Sequence, residues 1–145
     1  MAKNSKTKSA KSLKRTNGKA GGKLEALAKS VADMAFRKKD PEVLIPARML
    51  SNVAFNEKTR HVEMGDAKQS RSFFNYGQAK RFMQTLLVAS KCKELIDRGK
   101  TASIRQIYYL SKHTIKGTSE KTFDDQNESD PIIEDVEVAI DALRE

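Results

Sequence analysis

The chain has no tryptophan, a single cysteine and three prolines in 145 residues, and only 6% of it is aromatic. With one thiol, Cys92, no internal disulfide can form, so burial alone must hold the fold, as suits a reducing cytoplasm. No apolar run approaches the roughly 20 residues of a membrane span, and the basic N-terminus lacks the apolar stretch of a secretory signal. A soluble, intracellular protein without a membrane partner is expected. His61 and His113 stand far apart and have one cysteine for company, which excludes zinc spacing. Asp124, Asp125 and Glu128 fit no calcium loop and read as solvated groups or internal hydrogen-bond acceptors, so no metal site is assigned to this chain. The glycines between Gly18 and Lys23 follow no strand and lead to no Gly-Lys-Ser/Thr ending, so a nucleotide motif is missing too.

What the chain does have is positive charge, unevenly placed. The net charge is +9, and 38% hydrophobic content is enough for one modest core. Residues 1–23 carry eight bases and no acid, whereas residues 117–145 carry two bases against ten acids. Attraction to polyanions is therefore confined to the tail and the middle. Residues 1–22, mostly Lys, Ser, Thr, Gly and Ala with one Leu, bury too little to offset ordering entropy and are expected to be a disordered basic tail. Residues 23–40 read as an amphipathic docking helix with Leu24, Leu27, Val31, Met34 and Ala35 on one face, ended by Asp40-Pro41.

Residues 41–145 read as one domain, mainly α with a small β-hairpin. The hairpin spans residues 48–64, with Met49, Val53 and Phe55 on one arm, Val62 and Met64 on the other, and a turn at Asn56–Thr59. Arg71 and Asn75 fall in a polar link and are available for DNA contacts. A long helix over 78–98 pairs Phe82 with Leu86, Met83 with Leu87 and Val88 with Cys92 at (i, i+4), which makes it the backbone of the core. Gly99-Lys100 then turns the chain into a short helix over 101–113, capped by Ser103 and carrying Ile104, Ile107 and Leu110 inward. Two helices joined by a short Gly-containing turn are a helix-turn-helix. The last helix should begin with Asp130 as cap and Pro131 as first residue, and bury Ile133, Val136, Ile140 and Leu143. It holds six acids and one Arg from residue 130 onward, so phosphates would repel it and it makes a poor reading head.

On a helix over 101–113, Arg105, Tyr109 and His113 recur every four residues and line one face. A phenol titrates near 10 and needs a cation or a base before it attacks. Arg105 could favour the phenolate and grip a phosphodiester through paired N–H groups, while His113 or Lys112 manages a proton. Spacing alone also allows an ordinary solvated Arg beside one buried and one surface tyrosine. It does not choose between Tyr108 and Tyr109, which point about 100° apart.

The sequence Arg105-Gln-Ile-Tyr-Tyr109 followed by Lys112-His-Thr resembles the active-tyrosine motif of the family formed by the A subunit of DNA topoisomerase VI, a type IIB topoisomerase, and the related meiotic double-strand-break transesterase. Ile45-Pro-Ala-Arg-Met-Leu-Ser-Asn-Val53, Gln78-Ala-Lys-Arg-Phe-Met-Gln-Thr85 and Thr122-Phe-Asp-Asp-Gln-Asn-Glu-Ser-Asp130 are similar to segments that follow in the same order in that family. The resemblance implies a winged-helix-like nucleophile domain in which Tyr109 joins a DNA 5′ phosphate, assisted by Arg105 and His113. It implies double-stranded DNA as substrate, with Arg105, Lys112, Lys100 and Arg71 as DNA-binding residues. It also implies a B-type ATPase subunit that brings ATP, a second A subunit in an A2B2 heterotetramer, and a cytoplasmic, nucleoid-associated enzyme. Gln106 departs from the pattern, since the family usually carries Asp or Glu there. In the family, wing strands and a Toprim domain whose carboxylates hold Mg2+ follow a segment like Ala142-Leu-Arg-Glu145. The expectation is a truncated form, or one completed by another chain, with little cleavage activity alone. The alternatives are a non-catalytic helix-turn-helix DNA-binding protein and an adaptor to the ATPase subunit.

Overall fold

A computed structural model describes residues 4–141, the side chains of 4–17 excepted. The chain runs through a long helix α1 (Asn4–Phe36), strand β1 (Glu42–Pro46), a short 3-10 turn, strands β2 (Val53–Asn56), β3 (His61–Met64) and β4 (Lys68–Ser72), then helices α2 (Tyr76–Asp97), α3 (Ile104–Ser111) and α4 (Gln126–Ile140). The mainly helical class with a small β region is as expected, and the hairpin sits where the alternation placed it.

Helix α1 differs from expectation at its start. It begins within the segment read as a disordered tail, and its later turns dock on the domain: Leu24 is buried in the main core, Ala20 packs against that core, and a Cβ on Gly21 would lie 3.4 Å from Ile96. Once those turns are held, each preceding Lys or Ala adds a hydrogen bond at little propensity cost, and no proline interrupts them. Residues 1–3 lie outside the described residues. The helix ends at Phe36, before Asp40-Pro41, because Lys38 turns left-handed (φ 56°) and the Lys38 and Lys39 amides bond back to Ala35 and Met34.

The four strands are nested, β2–β3 inside β1–β4, both pairs antiparallel. Sequence alternation did not reveal the outer pair, because β4 is Lys-Gln-Ser-Arg-Ser and has no apolar face. Asn52 fastens the two pairs together. Its buried amide Nδ2 donates to the Ala47 carbonyl at 2.8 Å and the Ala67 carbonyl at 3.0 Å, and its Oδ1 accepts the Ala67 N–H at 3.0 Å. Gly65 must stay small here, since a Cβ would lie 2.5 Å from that immobilised Oδ1. Gly65→Ala should therefore cost about 1–3 kcal/mol of overpacking, read as a lowered urea midpoint at unchanged m; a change below about 0.5 kcal/mol would refute the clamp.

The main core is built by Leu24, Val88, Ala89, Tyr108, Phe123, Ile132, Ile133, Val136 and Ile140, and a smaller one by Val43, Ile45 and Phe82 beneath Leu27, Val31 and Leu86. The stripe expected on the last helix is thus buried at Ile133, Val136 and Ile140, while Leu143 lies outside the described residues. Its start is corrected. The cap is Asp125, whose carboxylate accepts the Glu128 N–H at 3.0 Å, and Pro131 lies inside α4. An Asp-x-x-Glu pair over Asp125 and Glu128 outcompetes Asp130-Pro131 as a start signal, since it satisfies amides that proline cannot need.

Cys92 packs against the main core, and burial pushes its thiol up to about 11. At pH 8 the folded chain should react with a thiol reagent about a hundredfold more slowly than the urea-unfolded chain. Equal rates would contradict that burial.

Candidate active site

Helix α3 is held at both ends by bonds its own sequence supplies. Arg98 ends α2, Gly99 takes φ 62°, and the amides of Gly99 and Lys100 bond to Ile96 and Leu95. Ser103 then caps α3 as expected: its hydroxyl accepts the Gln106 N–H at 3.2 Å while the Gln106 Oε1 accepts the Ser103 N–H at 2.8 Å. Gln106 is thus the second half of a capping box, a task an amide performs as well as a carboxylate and without adding charge beside Arg105. Ile104 and Ile107 pack against the core as expected, whereas Leu110 is half exposed.

The two tyrosines on this helix meet opposite environments. Tyr108 is 6% exposed and belongs to the core; Tyr109 is 59% exposed. The Tyr108 hydroxyl receives the Lys112 ammonium at 2.5 Å and lies 3.4 Å from the Asp124 carbonyl, which Lys112 also reaches at 3.0 Å. That bond to Tyr108 raises the Lys112 pKa. Tyr108 is a structural ring whose oxygen is occupied. The Arg105 guanidinium lies 5.8 Å from the centroid of the Tyr109 ring, and its bond to the Tyr109 phenol raises its pKa further above the ordinary value. Cation and phenol share the exposed side of α3, as (i, i+4) spacing required.

His113 does not join them on the helix. The helix stops at Ser111, Lys112 turns extended (ψ 116°), and His113 leads into the bridge between Thr114 and Lys121. A helical (i, i+4) relation of His113 to Tyr109 is therefore corrected. Its backbone is tied to Thr122, and its Nδ1 lies 3.1 Å from the Ser111 carbonyl. A carbonyl only accepts, so in this contact Nδ1 carries a proton and donates it.

Arg71 is corrected as well. It is 7% exposed, its Nη1 donates to Thr85 Oγ1 at 2.7 Å, and its Nη2 pairs with the buried Asp135, which also takes Arg48 Nε at 2.7 Å. With its guanidinium committed to Thr85 and Asp135, it is not part of the exposed face that carries Arg105 and Tyr109. Asn75 likewise caps α2 through the Gly77 N–H. Lys100 is exposed in the turn before α3.

Sequence reading missed the strap that backs the tyrosines. Residues 122–128 are tied to α2 by Lys80, which reaches Asp124 and Glu128 at 2.9 Å each, and by buried Gln84, which donates to the Thr122 carbonyl and to Glu128. The bond to Lys80 lowers the Asp124 pKa; for Glu128 burial works upward, but the Asp124 N–H, Gln84 and Lys80 outweigh it and lower the pKa. A buried glutamine in the apolar arc of α2 was the available signal. Asp124 and Glu128, like the cap Asp125, therefore act as internal acceptors. Among the described residues no group of three or more His, Cys, Asp or Glu side chains is placed to hold a metal ion, and no helix is long and apolar enough to cross a membrane.

Residues 80–145, which include the strap and both tyrosines, match the family model described as type IIB DNA topoisomerase. The A subunit of type 2 DNA topoisomerase 6 from Pyrococcus horikoshii is 47% identical over 123 residues, covering 85% of this chain and 32% of the relative. The same subunit of Pyrococcus abyssi is 46% identical with the same coverage, and that of Hyperthermus butylicus is 39% identical over 124 residues, 81% of this chain and 32% of the relative. The chain spans about a third of the length of these relatives. Over residues 80–145 the chain matches the type IIB DNA topoisomerase family, and most of its length is similar to part of that family's A subunits.

Proposed function

We propose that this chain is the nucleophile-bearing part of a type IIB topoisomerase A subunit, and that Tyr109 forms a covalent link to a DNA 5′ phosphate. One observation carries the reading: of two adjacent tyrosines, the one left exposed is the one with a guanidinium over its ring, while the other is buried with its hydroxyl occupied. The order α2, turn, α3, strap, α4 is read as a winged-helix-like, helix-turn-helix core with α3 facing DNA, since α4 is acidic.

In the proposed step the Tyr109 oxygen attacks phosphorus, the bond from phosphorus to the 3′ oxygen breaks, and that oxygen leaves with a proton. The phenol proton goes to solvent or to His113 Nε2. Arg105 holds a non-bridging phosphate oxygen through the charge that builds on it. Lys100 contributes a phosphate contact from the turn. Lys112, engaged with Tyr108 and Asp124, serves the reaction by bracing the helix. One phosphodiester replaces another, so resealing needs no external energy, and ATP acts through a B-type subunit. The described residues do not fit Mg2+, and no step is assigned to it in this chain; the ion belongs to a Toprim domain of the assembled enzyme. An apolar groove between α1 and α2, lined by Leu24, Leu27, Val31, Ala35 and Leu86, is compatible with docking of that ATPase subunit, and pairing with a second A subunit in A2B2 would place two tyrosines on opposite strands. A cytoplasmic, nucleoid-associated setting follows from that substrate.

The test is covalent trapping. The chain, the B-type subunit, ATP, Mg2+ and a Toprim segment are mixed with duplex DNA, quenched in denaturant and assayed for protein-linked 5′ ends. An adduct supports the proposal. Salt-sensitive duplex binding with no adduct from folded, associated components would instead favour a non-catalytic DNA-binding module, and association with the B-type subunit without DNA affinity would favour an adaptor.

A further inference from the structure

Between β4, α2 and the first turns of α4 lies a cleft of about 510 Å³ whose walls include Arg48, Arg71, Arg81, Gln69, Asn127 and Glu128. Its acceptors are already occupied. Asp135 takes Arg48 Nε on one carboxylate oxygen and Arg71 Nη2 on the other. Glu128 takes Gln84 Nε2 and Lys80 on Oε1 and the Asp124 N–H on Oε2. Its donors are not. A guanidinium offers five N–H groups; Arg71 uses its two η nitrogens on Thr85 and Asp135, and Arg48 its three nitrogens on Asp135, Glu134 and the Pro131 carbonyl, which leaves further N–H groups on each. Arg81 is exposed at the rim and forms no ion pair among the described residues, and the amides of Gln69 and Asn127 are exposed beside it. A cavity whose carboxylates are already engaged and whose guanidinium donors are partly uncommitted is complementary to an anion.

We infer that this cleft binds a phosphate group, gripped by Arg81 and oriented by the spare N–H groups of Arg48 and Arg71 and the amides of Gln69 and Asn127. Planar guanidinium forks match phosphate oxygens in pairs. Asp135 keeps Arg48 and Arg71 in place by taking one on each carboxylate oxygen. The phosphate of a DNA backbone and a free phosphate present the same oxygens, so the same site could receive either. It is independent of Tyr109, and Tyr109→Phe should leave it unchanged.

The experiment is calorimetric titration of the chain with inorganic phosphate against chloride at matched ionic strength, together with the salt dependence of binding to a short duplex. Arg81→Gln should weaken phosphate binding at least about tenfold, and the charge-neutral Asn127→Ala should weaken it measurably. Lys58→Glu, a larger charge change on the exposed hairpin turn, should leave it within about twofold. If DNA is the source, Arg81→Gln also lowers the slope of log K against log salt by about one; an unchanged slope with lost phosphate binding assigns the site to free phosphate. Absence of saturable phosphate binding together with an unchanged slope overturns the inference, as does an equal loss in Lys58→Glu.

Discussion

Tyr109→Phe should abolish the covalent DNA adduct, by at least about a thousandfold, while leaving duplex binding within about threefold. The ring stays, so the Arg105 guanidinium keeps its contact with the ring face and loses only its bond to the phenol oxygen. Tyr108→Phe should behave in the opposite way. It removes the acceptor of the Lys112 ammonium and costs about 1 kcal/mol of stability, read by urea denaturation, yet it should keep the adduct within about tenfold because the attacking oxygen is untouched. Both variants enter the trapping assay at matched folded concentration. An adduct that survives in Tyr109→Phe and vanishes in Tyr108→Phe would reverse the assignment and imply that α3 rotates when DNA binds.

Asp135→Ala should be the most destabilising single change away from the tyrosines, costing about 3–5 kcal/mol. Asp135 is 7% exposed and neutralises Arg71, itself 7% exposed, as well as Arg48. Removing the carboxylate leaves a buried guanidinium with Thr85 as its remaining neutral partner. Against a total stability of roughly 5–15 kcal/mol for a domain of this kind, such a loss lowers the urea midpoint by a large fraction. The buried charge, rather than the lost bond, causes most of the cost. The double change Arg71→Met with Asp135→Leu should therefore recover more than half of it, since the unpaired charge disappears with its partner. A loss below about 1 kcal/mol in Asp135→Ala, or a double variant worse than the single one, would show that the pair is not the buried junction between β4 and α4.

Legibility divided along the range of the interactions. The capping of α3 by Ser103, the turn at Gly99-Lys100 and the buried stripes of α2 and α4 were readable because each is decided within one or two helical turns, where spacing maps onto direction. The hairpin over Val53–Met64 was readable for the same reason, alternation being a local signal. So was the family motif around Tyr109, in which residue identity carries the information.

What local pattern could not decide was which groups would be buried by distant partners. Arg71 lies in a polar stretch that looks solvated until α4 brings Asp135 against it, 64 residues later in the chain. Strand β4 exists because β1 pairs with it, its own sequence having no alternation. His113 left the expected helix face because Thr122 captures its backbone, and Asp125 rather than Asp130 caps α4 because the strap is anchored by Lys80 and Gln84. The difference between Tyr108 and Tyr109 is of this kind as well. Both are equally good helix residues, and packing of α3 on α2 and α4 puts one ring in the core and leaves the other beside Arg105 in solvent. The chain's own order thus specified its helices, its charge distribution and the presence of a tyrosine pair, while only long-range packing, through desolvation and pairing across elements, separated the nucleophile candidate from its buried neighbour.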